Sequence, residues 1–217
     1  MVGRQPVHRV ALLGGSFDPP HRGHLALARA ALEQLPVDEL WWLPAGQPWQ
    51  KSRSLTDAAH RLAMLQLLIG GGGDDGVDAH TDRQRIETCE IDRGGPTYTI
   101  DTLEQLTRLH PGVQWTLVIG QDQLQGLTSW HRWQEVVQRA NLAVAMRPES
   151  QPLSPSDLHA PAGVFITRVR MSPDSVSSTA IRQALSTVDL NTAATVPGLT
   201  PEVARYIARQ GLYRPTG

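Results

Sequence analysis

The sequence predicts an α/β fold in which an open, doubly wound and mainly parallel sheet carries helices on both faces. Two observations predict it. Short apolar runs end at glycine or proline, as buried parallel strands do. Between these runs, apolar residues recur at helical spacing. Strand-like and helix-like segments alternate along almost the whole chain, which is the pattern of repeated βαβ units.

The predicted strands are short apolar runs bounded by turn residues. The main ones cover residues 8–15, 38–46, 113–120, 141–148 and 164–169, and shorter ones are expected at 77–80 and 88–93. The single cysteine, Cys89, is expected to be a small strand residue.

The predicted helices are amphipathic segments with recognisable ends. They cover residues 25–35, 55–70, 97–110, 133–140, 177–185 and 200–213. Thr56 or Asp57 should cap the second helix and Gly70 should end it. Pro201 lies in the first turn of the last helix, and Gly211 follows its end.

The chain length suits one domain. A chain of 217 residues can bury a single core without disulfides or metals. We therefore expect one domain over residues 1–217, with a C-terminal helical portion from about residue 177 packed on it. The proline-rich stretch 151–163 lies between two apolar strands and is interpreted as a surface insertion.

Composition excludes several classes of protein. A formal net charge of −1 argues against a protein that coats nucleic acid. No apolar run is long enough to span a membrane, and the N-terminal one is too short for a signal sequence. One cysteine forms neither an internal disulfide nor a CxxC zinc motif. We expect a cytoplasmic protein with small-molecule partners and neither a nucleic acid nor a membrane.

The first strand runs into the loop GGSFDPPHRGH, residues 14–24. Glycines at its start allow close approach of a ligand to the backbone. His21 and His24 precede or begin the first helix, where backbone N–H groups favour an anion. The two histidines could contact phosphate, transfer a proton, bind a metal or be solvated loop residues. Zinc would need a third ligand, and no carboxylate or thiol is evidently placed to provide it.

A second motif, SSTAIR, opens the helix predicted at 177–185. Its hydroxyl groups and helical N–H groups suit an anion, and Arg182 adds a forked set of donors. Taken alone, it is better interpreted as an ordinary serine/threonine helix cap, which is common.

Together the two motifs resemble the nucleotidyltransferase superfamily with the His-x-Gly-His signature, and more closely the bacterial nicotinate-nucleotide adenylyltransferases. LPAGQPWQK, CEIDRGGPTYTIDTL, GQDQLQGLTSWHRWQEV and EVARYIARQGLY occur in that family's order. The resemblance implies a Rossmann-like fold. It also implies transfer of AMP from ATP to nicotinate mononucleotide, giving nicotinate adenine dinucleotide and pyrophosphate in NAD biosynthesis.

The resemblance also implies residue roles. It assigns catalysis to His21, His24 and Arg182, with His24 the first choice for stabilising charge at the α-phosphate. It assigns ATP binding to Gly14, Gly15, Ser16, Phe17, Lys51, Gly120, Asp122, Ser178 and Thr179. It assigns nicotinate-nucleotide binding to Thr97, Tyr98, Thr99 and Trp130. Mg²⁺ is expected to arrive with ATP rather than on protein ligands.

The second loop departs from the family pattern. Trp49 and Gln50 stand where the family often has proline and histidine, so only Lys51 keeps an assigned role there. Two other hypotheses remain at this point. One is a related transferase with a different acceptor: phosphopantetheine, nicotinamide mononucleotide or a polyol phosphate. The other is a nucleotide-binding sensor or scaffold without turnover.

Overall fold

The computed structural model describes residues 7–48, 55–71, 80–146, 165–171 and 176–214. The strands in these ranges are β1 (Arg9–Gly15), β2 (Glu39–Pro44), β3 (Gln47–Pro48), β4 (Gln84–Ile86), β5 (Pro96–Thr97), β6 (Gln114–Gly120), β7 (Ala140–Met146) and β8 (Ile166–Arg170). The α-helices are α1 (Arg22–Gln34), α2 (Ala58–Gly70), α3 (Cys89–Arg93), α4 (Thr99–Leu109), α5 (Gln121–Gln125), α6 (Trp133–Arg139), α7 (Ser178–Leu185) and α8 (Pro201–Gln210).

Six of these strands form one parallel sheet in the order β4-β2-β1-β6-β7-β8. The chain first builds outward from β1 through β2 to β4. It then returns to the other side of β1 and continues through β6 and β7 to β8. The strand order therefore reverses between β1 and β6, and the crevice at the carboxyl ends of these two strands is where such sheets bind ligands.

Alternate residues of the strands face two separate cores. Ala11 and Leu13 of β1 point into one core with α1, α2, α7 and α8. Val10 and Leu12 point into the other with α3, α4, α5 and α6. This two-residue period is the signature of a strand buried on both faces. The predicted doubly wound α/β fold is confirmed.

Most of the predicted elements are present with small shifts in their ends. The side chain of Asp57 caps α2 by accepting the Ala59 N–H at 2.8 Å. Pro201 occupies the first turn of α8, and Gly211 ends that helix in a left-handed conformation. The strand predicted at 77–80 and the insertion at 151–163 lie wholly or almost wholly outside the described residues.

The strand predicted at 88–93 is wrong, because Cys89–Arg93 forms helix α3. The Thr88 hydroxyl donates to Asp92 Oδ2 at 2.7 Å, which is the four-residue spacing of a helical turn. Cys89 is buried in this helix rather than in a strand. Burial raises the pKa of its thiol to about 12, so the thiol stays protonated and unreactive at neutral pH.

The C-terminal part of the chain packs into the first core. Val203 and Ile207 of α8 share this core with Phe17 of the loop after β1 and with Trp42 of β2. The single-domain arrangement stays a prediction. Within the described ranges, no helix combines the length and apolar character needed to cross a membrane.

Candidate active site

The loop between β1 and α1 leaves the sheet at the point where strand order reverses. Its two glycines serve different purposes. A Cβ on Gly14 would meet nothing within 4 Å, which leaves the backbone open to a ligand. A Cβ on Gly15 would lie 3.0 Å from the Phe17 ring. Phe17 itself is 1% exposed and adopts φ 47°, so its ring packs into the core instead of facing a ligand.

His21 and His24 lie together at the start of α1. Their ring centroids are 3.8 Å apart, and Phe17 contacts the His24 ring edge-on at 5.0 Å. His21 is only 7% exposed, whereas His24 is half-buried.

The hydrogen bonding of His24 assigns its tautomer. Its Nδ1 accepts the backbone N–H of His21 at 3.2 Å. An imidazole that accepts at Nδ1 carries its proton on Nε2. His24 therefore presents Nε2–H as a donor, which is the form suited to a phosphate oxygen.

Helix α7 is bonded directly to this loop. Arg182 Nη1 donates to the Asp18 carbonyl at 2.7 Å, and Ser178 Oγ donates to the Pro19 carbonyl at 2.9 Å. Arg182 Nη2 also donates to Thr179 Oγ1 at 3.0 Å. The two motifs, separated by more than 150 residues in sequence, thus form one structural unit.

A third element also holds the loop. Arg61 of α2 is 2% exposed, and its guanidinium donates to the carbonyls of Thr56 and Ser16 at 2.9 Å each and of Gly46 at 3.5 Å. Such a forked group can bind three carbonyls at once. The guanidinium joins the loops after β1 and β2 to the start of α2.

The side chain of Asp18 lies at the centre of the loop and is fully buried. Its Oδ2 accepts the Thr56 N–H at 3.3 Å, and its Oδ1 accepts the Tyr213 hydroxyl at 2.6 Å. A buried carboxylate needs such donors to offset its lost hydration. Asp18 therefore joins the loop to α2 and to the C-terminal segment.

The residues assigned to the nicotinate nucleotide occupy the other side of the switch point. Tyr98 precedes α4, and its ring lies 4.7 Å from that of His131, next to Trp130. Trp130 is half-buried against the second core. Thr97 is less available to a ligand, because its Oγ1 accepts the Gln47 N–H at 3.2 Å and so joins β5 to β3. Thr99 begins α4.

Arg132 holds the Trp130 segment in place. It adopts a left-handed conformation with φ 51°, which is uncommon for a bulky residue. Its guanidinium donates to Glu135 at 2.6 and 2.7 Å and to Glu104 of α4 at 2.7 Å. These bonds connect the loop after Trp130 to both flanking helices.

The end of β6 supplies the remaining assigned residues. Gly120 N–H donates to Gln123 Oε1 at 3.0 Å and so closes the first turn of α5. Asp122 is exposed on that turn. Lys51 lies outside the described residues. Among the residues that the structure describes, no group of three or more His, Cys, Asp or Glu side chains could hold a metal ion.

Glu90 of α3 is only 8% exposed and lies next to the loop after β2. The Thr102 hydroxyl donates to its Oε1 at 2.8 Å, and Arg93 donates to that hydroxyl at 3.1 Å. Desolvation raises the pKa of Glu90 to about 7. The loop after β2 packs closely here, since a Cβ on Gly46 would lie 2.4 Å from the Glu90 carbonyl oxygen.

Sequence reasoning missed four residues that build the site: Asp18, Arg61, Glu90 and Tyr213. Arg61 lies on a helix whose pattern equally suits a solvated arginine. Asp18, Glu90 and Tyr213 belong to segments that carried the family resemblance, GGSFDPPHRGH, CEIDRGGPTYTIDTL and EVARYIARQGLY, which was the signal available for them. The pairing of Asp18 with Tyr213 depends on the tertiary structure alone.

The comparisons with known proteins agree with this geometry. A family model described as cytidylyltransferase-like matches residues 12–184, a range that includes both motifs. A solved structure described as Plasmodium falciparum nicotinic acid mononucleotide adenylyltransferase complexed with NaAD has a TM-score of 0.75 at 22% identity. It covers 95% of this chain and 97% of its own. Fold and site together define a protein of the cytidylyltransferase-like class.

Relatives in sequence show to which family within this class the chain belongs. A protein of Methylibium petroleiphilum named "Probable nicotinate-nucleotide adenylyltransferase" is 45% identical over 99% of this chain and 96% of its own length. One of Neisseria meningitidis with the same name is 37% identical over 94% of this chain and 98% of its own. The chain belongs to the nicotinate-nucleotide adenylyltransferase family, as its motifs predicted.

The buried Glu90 carboxyl predicts a pH-dependent stability. Because its folded pKa of about 7 exceeds the ordinary value of 4.5, folding binds a proton and stability falls as pH rises through this range. Glu90→Gln removes that loss. The difference in unfolding free energy between this variant and the unmodified chain should increase by about 2 kcal/mol in favour of the variant from pH 5 to pH 8, as measured by urea denaturation.

Glu33→Gln is the control, because the Glu33 side chain is 60% exposed. It should show no comparable gain over the same range. Parallel pH dependence of the Glu90→Gln variant and the unmodified chain would contradict the assignment.

Proposed function

We propose that this chain transfers AMP from ATP to nicotinate mononucleotide, giving nicotinate adenine dinucleotide and pyrophosphate. The observation that carries the proposal is the union of the two phosphate motifs at the switch point, with Arg182 bonded to the Asp18 carbonyl at 2.7 Å. Family membership supports the acceptor, because the relatives carry the name of this activity.

The reaction requires positioning and charge stabilisation rather than a protein nucleophile. A phosphate oxygen of nicotinate mononucleotide attacks the α-phosphorus of ATP. The bond from that phosphorus to the oxygen bridging the α- and β-phosphates breaks, and its electron pair leaves with pyrophosphate. In such transfers the catalytic effect comes from donors that are fixed before reaction begins.

Different residues of the chain have different roles in this reaction. His24 donates from Nε2 to the charge that develops at the α-phosphate. The backbone of Gly14 to Phe17 lies along the nucleotides, and the N-terminus of α7 with Thr179 and Arg182 binds the β- and γ-phosphates. Lys51, Gly120 and Asp122 complete the ATP side. Tyr98, Thr99 and Trp130 bind the nicotinate nucleotide. Thr97 supports them, because its hydroxyl oxygen accepts the Gln47 N–H and so holds β3 beside β5.

Mg²⁺ accompanies ATP in this proposal. The proposal rests on ATP chemistry, since Mg²⁺ typically keeps several waters and binds through substrate phosphates. The ion supplies charge neutralisation on the phosphates.

The proposal is tested by incubating the purified chain with ATP, Mg²⁺ and nicotinate mononucleotide and following dinucleotide and pyrophosphate by chromatography. Both products should accumulate in equal amounts. Nicotinamide mononucleotide, phosphopantetheine and a polyol phosphate serve as alternative acceptors. A higher kcat/KM with one of these, or ATP binding without any turnover, would overturn the proposal.

His24→Ala should separate catalysis from binding. We expect kcat to fall about 100-fold while KM for ATP changes less than about threefold, because the donor acts on charge that develops in the transition state. His8→Ala is the control, since His8 precedes β1, at the amino ends of the strands, and pairs with Asp38 and Glu39. A rise in KM for ATP with kcat intact would show that His24 only holds the substrate.

Trp130→Ala should have the opposite effect. If the indole stacks on the pyridine ring, KM for nicotinate mononucleotide should rise about tenfold with KM for ATP little changed. Trp133→Ala, a neighbouring residue in α6, controls for loss of packing against the same core. An unchanged KM for the acceptor would reject the stacking role.

A further inference from the structure

We propose that Tyr213, near the C-terminus, is a positioning residue that holds the phosphate-binding loop in its ATP-binding shape through the buried Asp18 carboxylate. This inference rests on the proposed use of that loop for ATP. It gives a role in the reaction to a segment that lies beyond the matched family range of 12–184.

The contact itself is short and enclosed. The Tyr213 hydroxyl donates to Asp18 Oδ1 at 2.6 Å, and Asp18 is fully buried. A hydrogen bond from a phenol to an ionised carboxylate is among the stronger bonds in proteins. Burial and the Asp18 charge raise the pKa of Tyr213, and so the phenol keeps its proton and remains a donor at neutral pH.

Asp18 transmits this contact to the atoms that bind phosphate. Its own carbonyl accepts Arg182 Nη1, and the next carbonyl, of Pro19, accepts the Ser178 hydroxyl. Three residues after Asp18 the chain reaches His21, which begins the turn that carries His24. A displacement of the Asp18 side chain therefore shifts both the loop and the donors that α7 contributes.

The backbone at Tyr213 supports the same conclusion independently. Tyr213 adopts φ 64°, a left-handed conformation that bulky residues seldom take. Such a conformation persists where surrounding contacts outweigh its cost. Here Gly211 ends α8 and the chain turns back, which brings the phenol to Asp18.

The chain offers a matched control in Tyr206 of α8. Its hydroxyl also makes a hydrogen bond, to His60 Nδ1 of α2 at 2.9 Å, but His60 does not belong to the loop. Tyr213→Phe and Tyr206→Phe each remove one hydroxyl from the C-terminal region. Only Tyr213→Phe removes a hydrogen bond that is donated to the phosphate-binding loop.

The test is calorimetric titration of the full chain with ATP and Mg²⁺ in the absence of acceptor. For Tyr213→Phe we expect Kd for ATP to rise about tenfold with full binding stoichiometry, while Tyr206→Phe stays within about twofold of the unmodified chain. Circular dichroism verifies that both variants are folded at the titration temperature.

The outcomes separate positioning from stability. Equal Kd values for the two variants would overturn the inference. So would a reduced stoichiometry with unchanged Kd in Tyr213→Phe, which indicates partial unfolding instead. If the unmodified chain binds ATP but forms no dinucleotide, the proposed function fails, and a weakened Kd in Tyr213→Phe still supports the inference. No ATP binding by the unmodified chain would overturn both.

Discussion

The buried carbonyl groups of the loop between β1 and α1 impose the constraint on which the site depends. Residues 17–20 are buried, yet they belong to neither a helix nor a strand. Buried carbonyls outside regular structure need donors from elsewhere. Arg61 provides one for Ser16, Arg182 for Asp18 and Ser178 for Pro19. Side chains of α2 and α7 thus determine the shape of the loop.

This constraint also brings together groups that are distant in sequence and whose chemistry suits an anion. The bond from Ser178 to the Pro19 carbonyl brings the N-terminus of α7 beside the loop that leads into α1. Two helix N-termini then lie next to the same loop, and each contributes the positive end of a helix dipole. Because the loop sits at the switch point of the sheet, this positive potential acts in the crevice where parallel sheets bind nucleotides.

The fold could be predicted from the sequence, whereas the contacts that fix the loops of the candidate site could not. Apolar runs and helix caps are local signals, and they predict the sheet and most of its helices. The error at 88–93 occurred because apolar and polar residues alternate in CEID as they do in a strand, and five residues are too few to distinguish the two periods. The partners of Asp18 lie 38, 164 and 195 residues away, and no local pattern encodes such pairings.

The two halves of the site are held by different kinds of contact. Charged donors bound to buried backbone fix the half proposed to bind phosphate, and such bonds are costly to break. The acceptor half depends on the Tyr98–His131 ring contact and on partly exposed ion pairs of Arg132, which are individually weak. Phosphate transfer needs donors that are fixed in advance, whereas a stacked ring tolerates small displacements. Substitutions around Tyr98 and Trp130 should therefore leave the contacts that fix the loop between β1 and α1 undisturbed.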